Sequence, residues 1–465
     1  MQNSMKTKFQ KLLNRQIKFY DQERWDDVYY RISLLKKLKL TIEENEQDIV
    51  DALYKDFKKP AVEAYATEIF VVYKELNKFI KKIKSWQSRS LKSPSLINFP
   101  STDYILHKPW GQCLIISPWN YPFQLAINPV IAALACGNTV MLKPSEFSPH
   151  TSQILKKLIE AVFPEEVAQV CIGDAKVASG LLKLKWNYIF FTGSVNVGKI
   201  VAKAAAEKLT PVTLELGGKN PCIVESSAKL AIAAKRIVWG KFINAGQTCI
   251  APDYLIVHES IKNQLTQKII SEIRNFYGDQ PINSPDFARI INKKHFERLT
   301  SLLKNQKEIS FGGKFNEDEL YISPSIITDP KLEDQVMQEE IFGPILPILS
   351  YTDENELNYI IKQHASPLSL YIFTENRVFA KKLLNKYEYG GAVINDTIVH
   401  FINERLPFGG VGSSGMGQYH GKFSFETFTR KTSVVDRKTW LDIKLKYAPY
   451  AGKLNWLKKV KKWLT

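Results

Sequence analysis

From Gly111 onward, short apolar runs that end in small-residue turns alternate with stretches of helical length. "GQCLIIS" (Gly111–Ser117), "TVMLK" (Thr139–Lys143), "AQVCIG" and "NYIFFTG" read as buried strands. Between them, "FQLAINPVIAALACG" and "SPHTSQILKKLIEAVF" read as helices. Parallel strands need crossovers of about a dozen residues or more, so this alternation predicts an α/β fold with a mostly parallel sheet and helices on both faces. Before it, Leu35, Leu38, Ile42, Ile49, Leu53 and Phe57 recur at roughly helical spacing. "SRSLKSPSLINFPSTDY" (Ser88–Tyr104) reads as a connector or edge arm. A second unit begins near "TPVTLELGGKNPCIV" (Thr210–Val224) and runs to about Ile398. The Gly-rich "PFGGVGSSGMG" then precedes a short sheet piece and a basic tail.

A chain of 465 residues with 45% hydrophobic and 24% charged residues can bury a large core. The N-terminus has no apolar h-region, so no secretory signal is expected. The uncharged run Trp110–Leu142 contains Pro118, Pro122 and Pro129, and reads as buried strand and helix rather than a membrane span. Five widely spaced Cys without C-x-x-C argue for a reducing compartment, and no metal site is expected. The formal net charge is +17, and Arg430–Thr465 carries eleven Lys/Arg against two Asp. No nucleic-acid motif accompanies that charge, which leaves a solvated surface or contact with an anionic membrane.

"YIFFTGSVNVGKIVAKAAAE" (Tyr188–Glu207) has the strand–loop–helix order that presents backbone N–H groups to phosphate. Gly193–Lys199 reads G-x-x-x-x-G-K, but Ile200 stands where a P-loop needs a hydroxyl for Mg²⁺. Phosphate contact through Gly193, Ser194 and Gly198 survives that objection, as does a plain β–α turn. Gly410, Gly412 and Gly415 spell G-x-G-x-x-G without a strand before them, and read as a flexible or tightly turning loop.

Cys113, Cys136, Cys171 and Cys222 lie among apolar residues and read as inert buried thiols. Cys249 follows the small, polar "NAGQT", which leaves room for a substrate, although small residues also surround structural cysteines. Glu215 ends the strand "VTLEL" at the side where α/β sheets bind ligands; a surface charge is the alternative. The amide of Asn120 in "SPWNYP" could donate to an oxyanion, or cap a turn.

"SPWNYP", "KPSE", "FTGSVNVGK", "LELGGKNP", "NAGQTCIAPDY" and "EEIFGP" occur in an order that resembles the aldehyde dehydrogenase superfamily over roughly Asn14–Tyr450. "LTPVTLELGGKNP" and "YHGKFSFETFT" are most similar to the class 3, or fatty aldehyde, branch. The resemblance implies two parallel-sheet α/β domains, a variant Rossmann cofactor domain and a catalytic domain, plus a small bridging β-sheet. The expected division is 1–87 and 108–214 for NAD(P), 215–405 for catalysis, 88–107 and 406–440 for bridging and oligomerisation, and 441–465 for the basic tail. It implies that Cys249 attacks the aldehyde, that Asn120 and the Cys249 N–H hold the oxyanion, and that Glu215 activates water for thioester hydrolysis. Lys143 and Glu146 would contact the adenosine ribose, and Gly193, Ser194 and Gly198 the pyrophosphate. Glu340 would hold the nicotinamide ribose, with Phe342 packed close by. Glu146 precedes the glycines, whereas the ordinary fingerprint places its acid about 20 residues after them; the family's variant site suits that order. Tyr121, Trp239 and Thr248 are pocket candidates, with plain core packing as the alternative.

NAD is favoured because a carboxylate at Glu146 suits a ribose 2′-OH; Lys143 keeps NADP open. The expected substrate is a medium- or long-chain aliphatic or an aromatic aldehyde. The expected state is a cytoplasmic homodimer that binds no nucleic acid. The tail "KLNWLKKVKKWLT" places Leu454, Leu457, Val460, Trp463 and Leu464 along one stripe among lysines. It is too short and charged to span a bilayer, and reads as an amphipathic helix on an anionic membrane or packed on the protein. A Cys-dependent acyl transferase or hydrolase, a CoA-acylating dehydrogenase and a non-catalytic role are the rival functions.

Overall fold

The computed structural model describes residues 2–464 apart from 22, 96, 97, 307 and 365. Before Gly111 the chain is mainly helical, with Gln2–Tyr20, Val28–Glu43, Glu46–Phe57 and Phe70–Trp86 as its long helices. Leu35, Leu38, Ile42, Ile49, Leu53 and Phe57 are all buried, as an apolar stripe at helical spacing requires. A π turn, Tyr65–Ile69, interrupts this helical region and carries the fully buried Glu68.

In chain order the strands are β1 (Ser90–Lys92), β2 (Ser101–Pro109), β3 (Gln112–Ile116), β4 (Thr139–Lys143), β5 (Ala168–Val170) and β6 (Tyr188–Thr192). They continue with β7 (Val212–Glu215), β8 (Pro221–Val224), β9 (Tyr254–His258), β10 (Phe315–Asn316), β11 (Tyr321–Ile322) and β12 (Ser325–Thr328). The last are β13 (Ile345–Tyr351), β14 (Ser369–Phe373), β15 (Gly391–Ile394), β16 (Gly415–Met416) and β17 (Thr429–Arg437). One six-stranded sheet has the order β16-β7-β6-β3-β4-β5 and is parallel except for β16. The other, β12-β13-β9-β8-β14-β15, is parallel throughout. A three-stranded sheet, β1-β2-β17, and the hairpin β10-β11 complete the set.

Strands covered on both faces read as continuous apolar runs, and β4, β6 and β8 are buried at every residue. The uncharged helix Gln124–Ala135 is likewise buried along its whole length, which accounts for its composition without a membrane.

The chain divides into two compact units, 1–86 with 109–430, and 87–108 with 431–465. The segment 406–430, grouped with the bridging element in the sequence reading, lies in the first unit. Backbone pairing explains this: Gly415 faces Glu215 across β16 and β7, and Phe408 and Tyr419 exchange backbone hydrogen bonds of 3.1 and 2.8 Å.

The G-x-G-x-x-G stretch owes its glycines to this packing. A Cβ at Gly410 would lie 2.1 Å from the Ser414 carbonyl oxygen, a backbone atom that cannot swing aside. Gly410→Ala is therefore expected to lower stability by about 1–3 kcal/mol, measured as the shift in the urea-unfolding midpoint.

Candidate active site

Glu215 closes β7 with its backbone fixed on two sides. Its carbonyl accepts from Gly193 N at 3.0 Å, and Leu216 N donates to Ser414 O at 3.1 Å. Its side chain is 2% exposed, and neither carboxylate oxygen has a hydrogen-bond partner in the protein. Burial alone holds its pKa well above the ordinary carboxylate value.

The cysteine loop begins with three successive positive φ angles, 55° at Asn244, 53° at Ala245 and 73° at Gly246. Non-Gly residues resist that conformation by about 1–3 kcal/mol each, so the surroundings must hold them. Asn244 N donates to Glu63 Oε2 at 3.0 Å, and its Nδ2 donates to Asn120 O at 2.9 Å. Asn120 Nδ2 donates to Gln247 O at 3.1 Å, and Gln247 Nε2 to Arg289 O at 3.0 Å. Downstream, Asn220 Nδ2 donates to Cys249 O at 2.8 Å and to Ala251 O at 3.0 Å, and the Tyr371 hydroxyl donates to Ile250 O.

These bonds bring Cys249, Glu215, Tyr121, Trp239 and Thr248 to the wall of one cavity of ≈ 170 Å³. Tyr121 and Thr248 share a hydroxyl hydrogen bond of 2.7 Å. Leu125, Ile243, Leu368, Phe401 and Phe408 supply apolar wall. The Cys249 thiol is pushed up to about 12, by burial first and then by Glu340 and Glu215; the N–H groups of Cys249 and Ile250 oppose this. The other four cysteines are buried, and none forms a disulfide.

Lys143 ends β4 and Glu146 follows it, and Gly193 and Ser194 follow β6, with β3 between the two strands. They thus share the carboxyl edge of the first sheet, where doubly wound sheets bind ligands. Lys143 Nζ lies 2.7 Å from Pro144 O and 3.3 Å from Glu146 Oε2. Ser194 caps the helix Val195–Ala206. Gly198 sits inside that helix and faces Leu216: an added Cβ would be 2.6 Å from Leu216 Cδ2, and its N–H already donates to Ser194 O at 2.9 Å. Its place is to let the helix close on the strand end, rather than to offer a free donor.

Glu340 presses on the loop after β7, since a Cβ at Gly217 would meet its Oε2 at 2.1 Å. Burial, then Asp253, pushes its carboxyl up to about 8, against the Gly218 N–H, Lys219 and Arg298. Phe342 packs edge-on against Trp119 of "SPWNYP" at 5.3 Å.

Sequence reasoning missed the supports. Lys219 bridges Asp253 at 2.5 Å and also donates to Val336 O and Glu339 O; Asp253 Oδ1 accepts from Ile341 N at 2.9 Å. The fully buried Lys59–Glu68 pair, at 2.7 Å, braces the other side. Glu68 Oε2 accepts from Phe123 N and Gln124 N at 2.9 and 3.0 Å, and Lys59 Nζ stands 3.9 Å from the Tyr121 ring centre. Lys219, Asn220 and Asp253 lie inside conspicuous motifs; Lys59 and Glu68 have no local signal.

The sequence model of the aldehyde dehydrogenase family matches residues 18–434. The chain belongs to the aldehyde dehydrogenase family. It is 46% identical over 441 residues to the 4,4′-diaponeurosporen-aldehyde dehydrogenase of Staphylococcus aureus, covering 95% of this chain and 96% of that protein. It is 42% identical to aldehyde dehydrogenase family 3 member A2 of Pongo abelii, over 92% of this chain and 88% of that one. Among solved structures, the substrate-bound Staphylococcus aureus AldH superposes with a TM-score of 0.96 at 45% identity, covering 97% and 99% of the two chains. The NAD-dependent aldehyde dehydrogenase of Sinorhizobium meliloti gives 0.85 at 28%, covering 95% and 89%.

This aldehyde dehydrogenase is therefore an NAD(P)-dependent oxidoreductase acting on aldehydes. Its residues fit that cofactor: a capped helix start at one sheet edge, an acid beside it, and an unpartnered Glu215 beside a thiol. Because the free thiol is neutral below about pH 12, iodoacetamide labelling of Cys249 without cofactor should rise steadily from pH 7 to 10 without levelling. Glu340→Gln removes the leading charge that opposes the thiolate, and should move the labelling profile, read by peptide mass spectrometry, to lower pH.

Proposed function

We propose that this aldehyde dehydrogenase oxidises medium- or long-chain aliphatic aldehydes, and aromatic ones as a second class, with NAD as the preferred cofactor. The carrying observation is that Cys249 and Glu215 share one predominantly apolar cavity. Its Staphylococcus aureus relative is named for a 4,4′-diaponeurosporen-aldehyde.

Cys249 Sγ attacks the aldehyde carbon to form a thiohemiacetal. Asn120 has a second amide N–H beyond the one given to Gln247 O, and with the Cys249 N–H it steadies the oxyanion. When bound, the oxidised nicotinamide supplies the hydride acceptor and a positive ring that favours the thiolate. The acyl group then remains on Cys249 as a thioester. Glu215, as carboxylate, takes a proton from water; the water oxygen bonds to the acyl carbon and the C–S bond breaks. Gly193, Ser194 and the helix start would hold the pyrophosphate, with Gly198 allowing their close approach to the strand. Lys143 and Glu146 would hold the adenosine ribose, and Glu340 the nicotinamide ribose beside Phe342. Lys143 is already engaged by Pro144 O and Glu146, which supports NAD over NADP, since little cation is left for a 2′-phosphate.

In this reading the first six-stranded sheet is the cofactor domain, the second carries catalysis, and β1-β2-β17 joins two subunits of a cytoplasmic homodimer. The tail adds peripheral membrane contact. Its helix Lys453–Leu464 exposes Leu454, Trp456 and Leu457 beside Lys458 and Lys459. The side chains of Val460, Trp463 and Leu464, also on the sequence-derived stripe, lie outside the described residues. Among the described residues no helix is long and apolar enough to cross a membrane.

Purified protein with a long-chain aldehyde and NAD⁺, without CoA, should form NADH and free acid, and Cys249→Ala should form neither. NADH only on addition of CoA would instead assign the acylating reaction. Liposome co-sedimentation should show the full chain pelleting with anionic vesicles more than a chain ending before Gly452; equal pelleting would remove the membrane contact.

A further inference from the structure

The cavity wall holds a set of polar groups that the mechanism above leaves unused. Gln124 Nε2, Thr192 Oγ1 and Tyr419 Oη join both Glu215 oxygens in lacking a well-formed hydrogen bond among the described residues. All four residues are at most 8% exposed. Buried polar groups are almost always satisfied by protein or by ordered water, so a cluster of this kind around one cavity marks a place built for a small polar molecule.

Two of these groups are held rigidly. Tyr419 exchanges two backbone hydrogen bonds with Phe408, and its ring packs edge-on against Phe190 at 5.3 Å and Phe408 at 5.6 Å. Gln124 begins its helix with its backbone N–H on Glu68 Oε2. The Gln124 side chain is near enough to act on the Tyr419 hydroxyl, and Glu215 and Cys249 are the leading charges that act on it. The Gln124 amide and the Tyr419 hydroxyl are thus close enough to interact directly, and both border the cavity that Glu215 and Cys249 share. Polar groups that line a cavity side by side commonly share an ordered water.

We propose that Gln124 Nε2 and Tyr419 Oη, together with Glu215, hold the water that hydrolyses the acyl-enzyme. The inference rests on the assignment of Cys249 as nucleophile and Glu215 as base. Gln124 donates to the water oxygen, Tyr419 Oη accepts one of its hydrogens, and the Glu215 carboxylate takes the other. One lone pair is left for the acyl carbon. As the new C–O bond forms, the proton passes to Glu215 and the C–S pair leaves on sulfur, giving the carboxylic acid and the Cys249 thiolate. Gln124 and Tyr419 thus act on deacylation and not on the attack by sulfur.

The two steps separate in an assay that needs no cofactor. An activated ester, 4-nitrophenyl acetate, acylates the thiol with a burst of nitrophenolate, and the later steady rate reports hydrolysis of the acyl-enzyme. Tyr419→Phe and Gln124→Met should keep the burst rate within about twofold and lower the steady rate about tenfold, the loss of one hydrogen bond to the attacking water. Hydroxylamine, which attacks the thioester without that site, should restore turnover in both variants. A burst and steady rate that fall together, or a steady rate that stays at the wild-type level, would overturn the proposal and leave these residues as pocket wall. Nitrophenolate release that persists unchanged in Cys249→Ala would remove the Cys249 assignment, and the proposal with it.

Discussion

The hydrogen bonds among Asn120, Asn244 and Gln247 are the constraint on which the site depends. They join the loop before the helix Gln124–Ala135 to the loop that presents Cys249. Two non-Gly residues in succession at positive φ would not persist in isolation. Here each turn of the chain is tied by a side-chain amide to a backbone group elsewhere. The amide that faces the oxyanion in the proposed mechanism is thus part of the same frame that fixes the nucleophile. Geometry at the reacting atoms is set by bonds rather than by the cavity's apolar wall, which has no direction to impose.

The electrostatics follow from placing acids in an apolar volume. Glu215 has no hydrogen bond to favour its charged form, and Glu340 sits near enough to raise the thiol. Burial raises the pKa of each of these groups, and nearby acids add to the rise for Cys249 and Glu340. Two buried ion pairs lie one layer out. Lys219–Asp253 pins the segment that carries Glu340, and Lys59–Glu68 pins the segment that carries Asn120. Such buried pairs contribute little net stability but are costly to break from one side, so they fix position more than they strengthen the fold.

The Gly-rich loop after Leu406 shows how one composition serves two ends. Its spacing matches a dinucleotide fingerprint, yet its glycines permit backbone contact within the turn and at the β7 edge. Gly198 shows the reverse: its motif points to phosphate, while its missing Cβ admits Leu216. Spacing identified both places as special and could not say which neighbour required the absence of a side chain.

The alternation of strand and helix, the apolar stripe from Leu35 to Phe57, and the order of the six motifs were legible in the sequence because they are local. Periodicity reports which face a segment buries, and a strand's end reports where a crevice lies. Cys249, Glu215 and Asn120 could be named because each stands in an unusual local context. That Cys249 and Glu215 meet in one cavity could not be read, and neither could Gln124 and Tyr419, which are separated by nearly three hundred residues and look like ordinary core. Nor could Lys59 and Glu68 be singled out, since a lysine and a glutamate in a helical region are most often solvated. Only the tertiary structure decides which buried polar groups are left without a partner in the protein. That property belongs to the packing of several segments at once, and a single segment carries no trace of it.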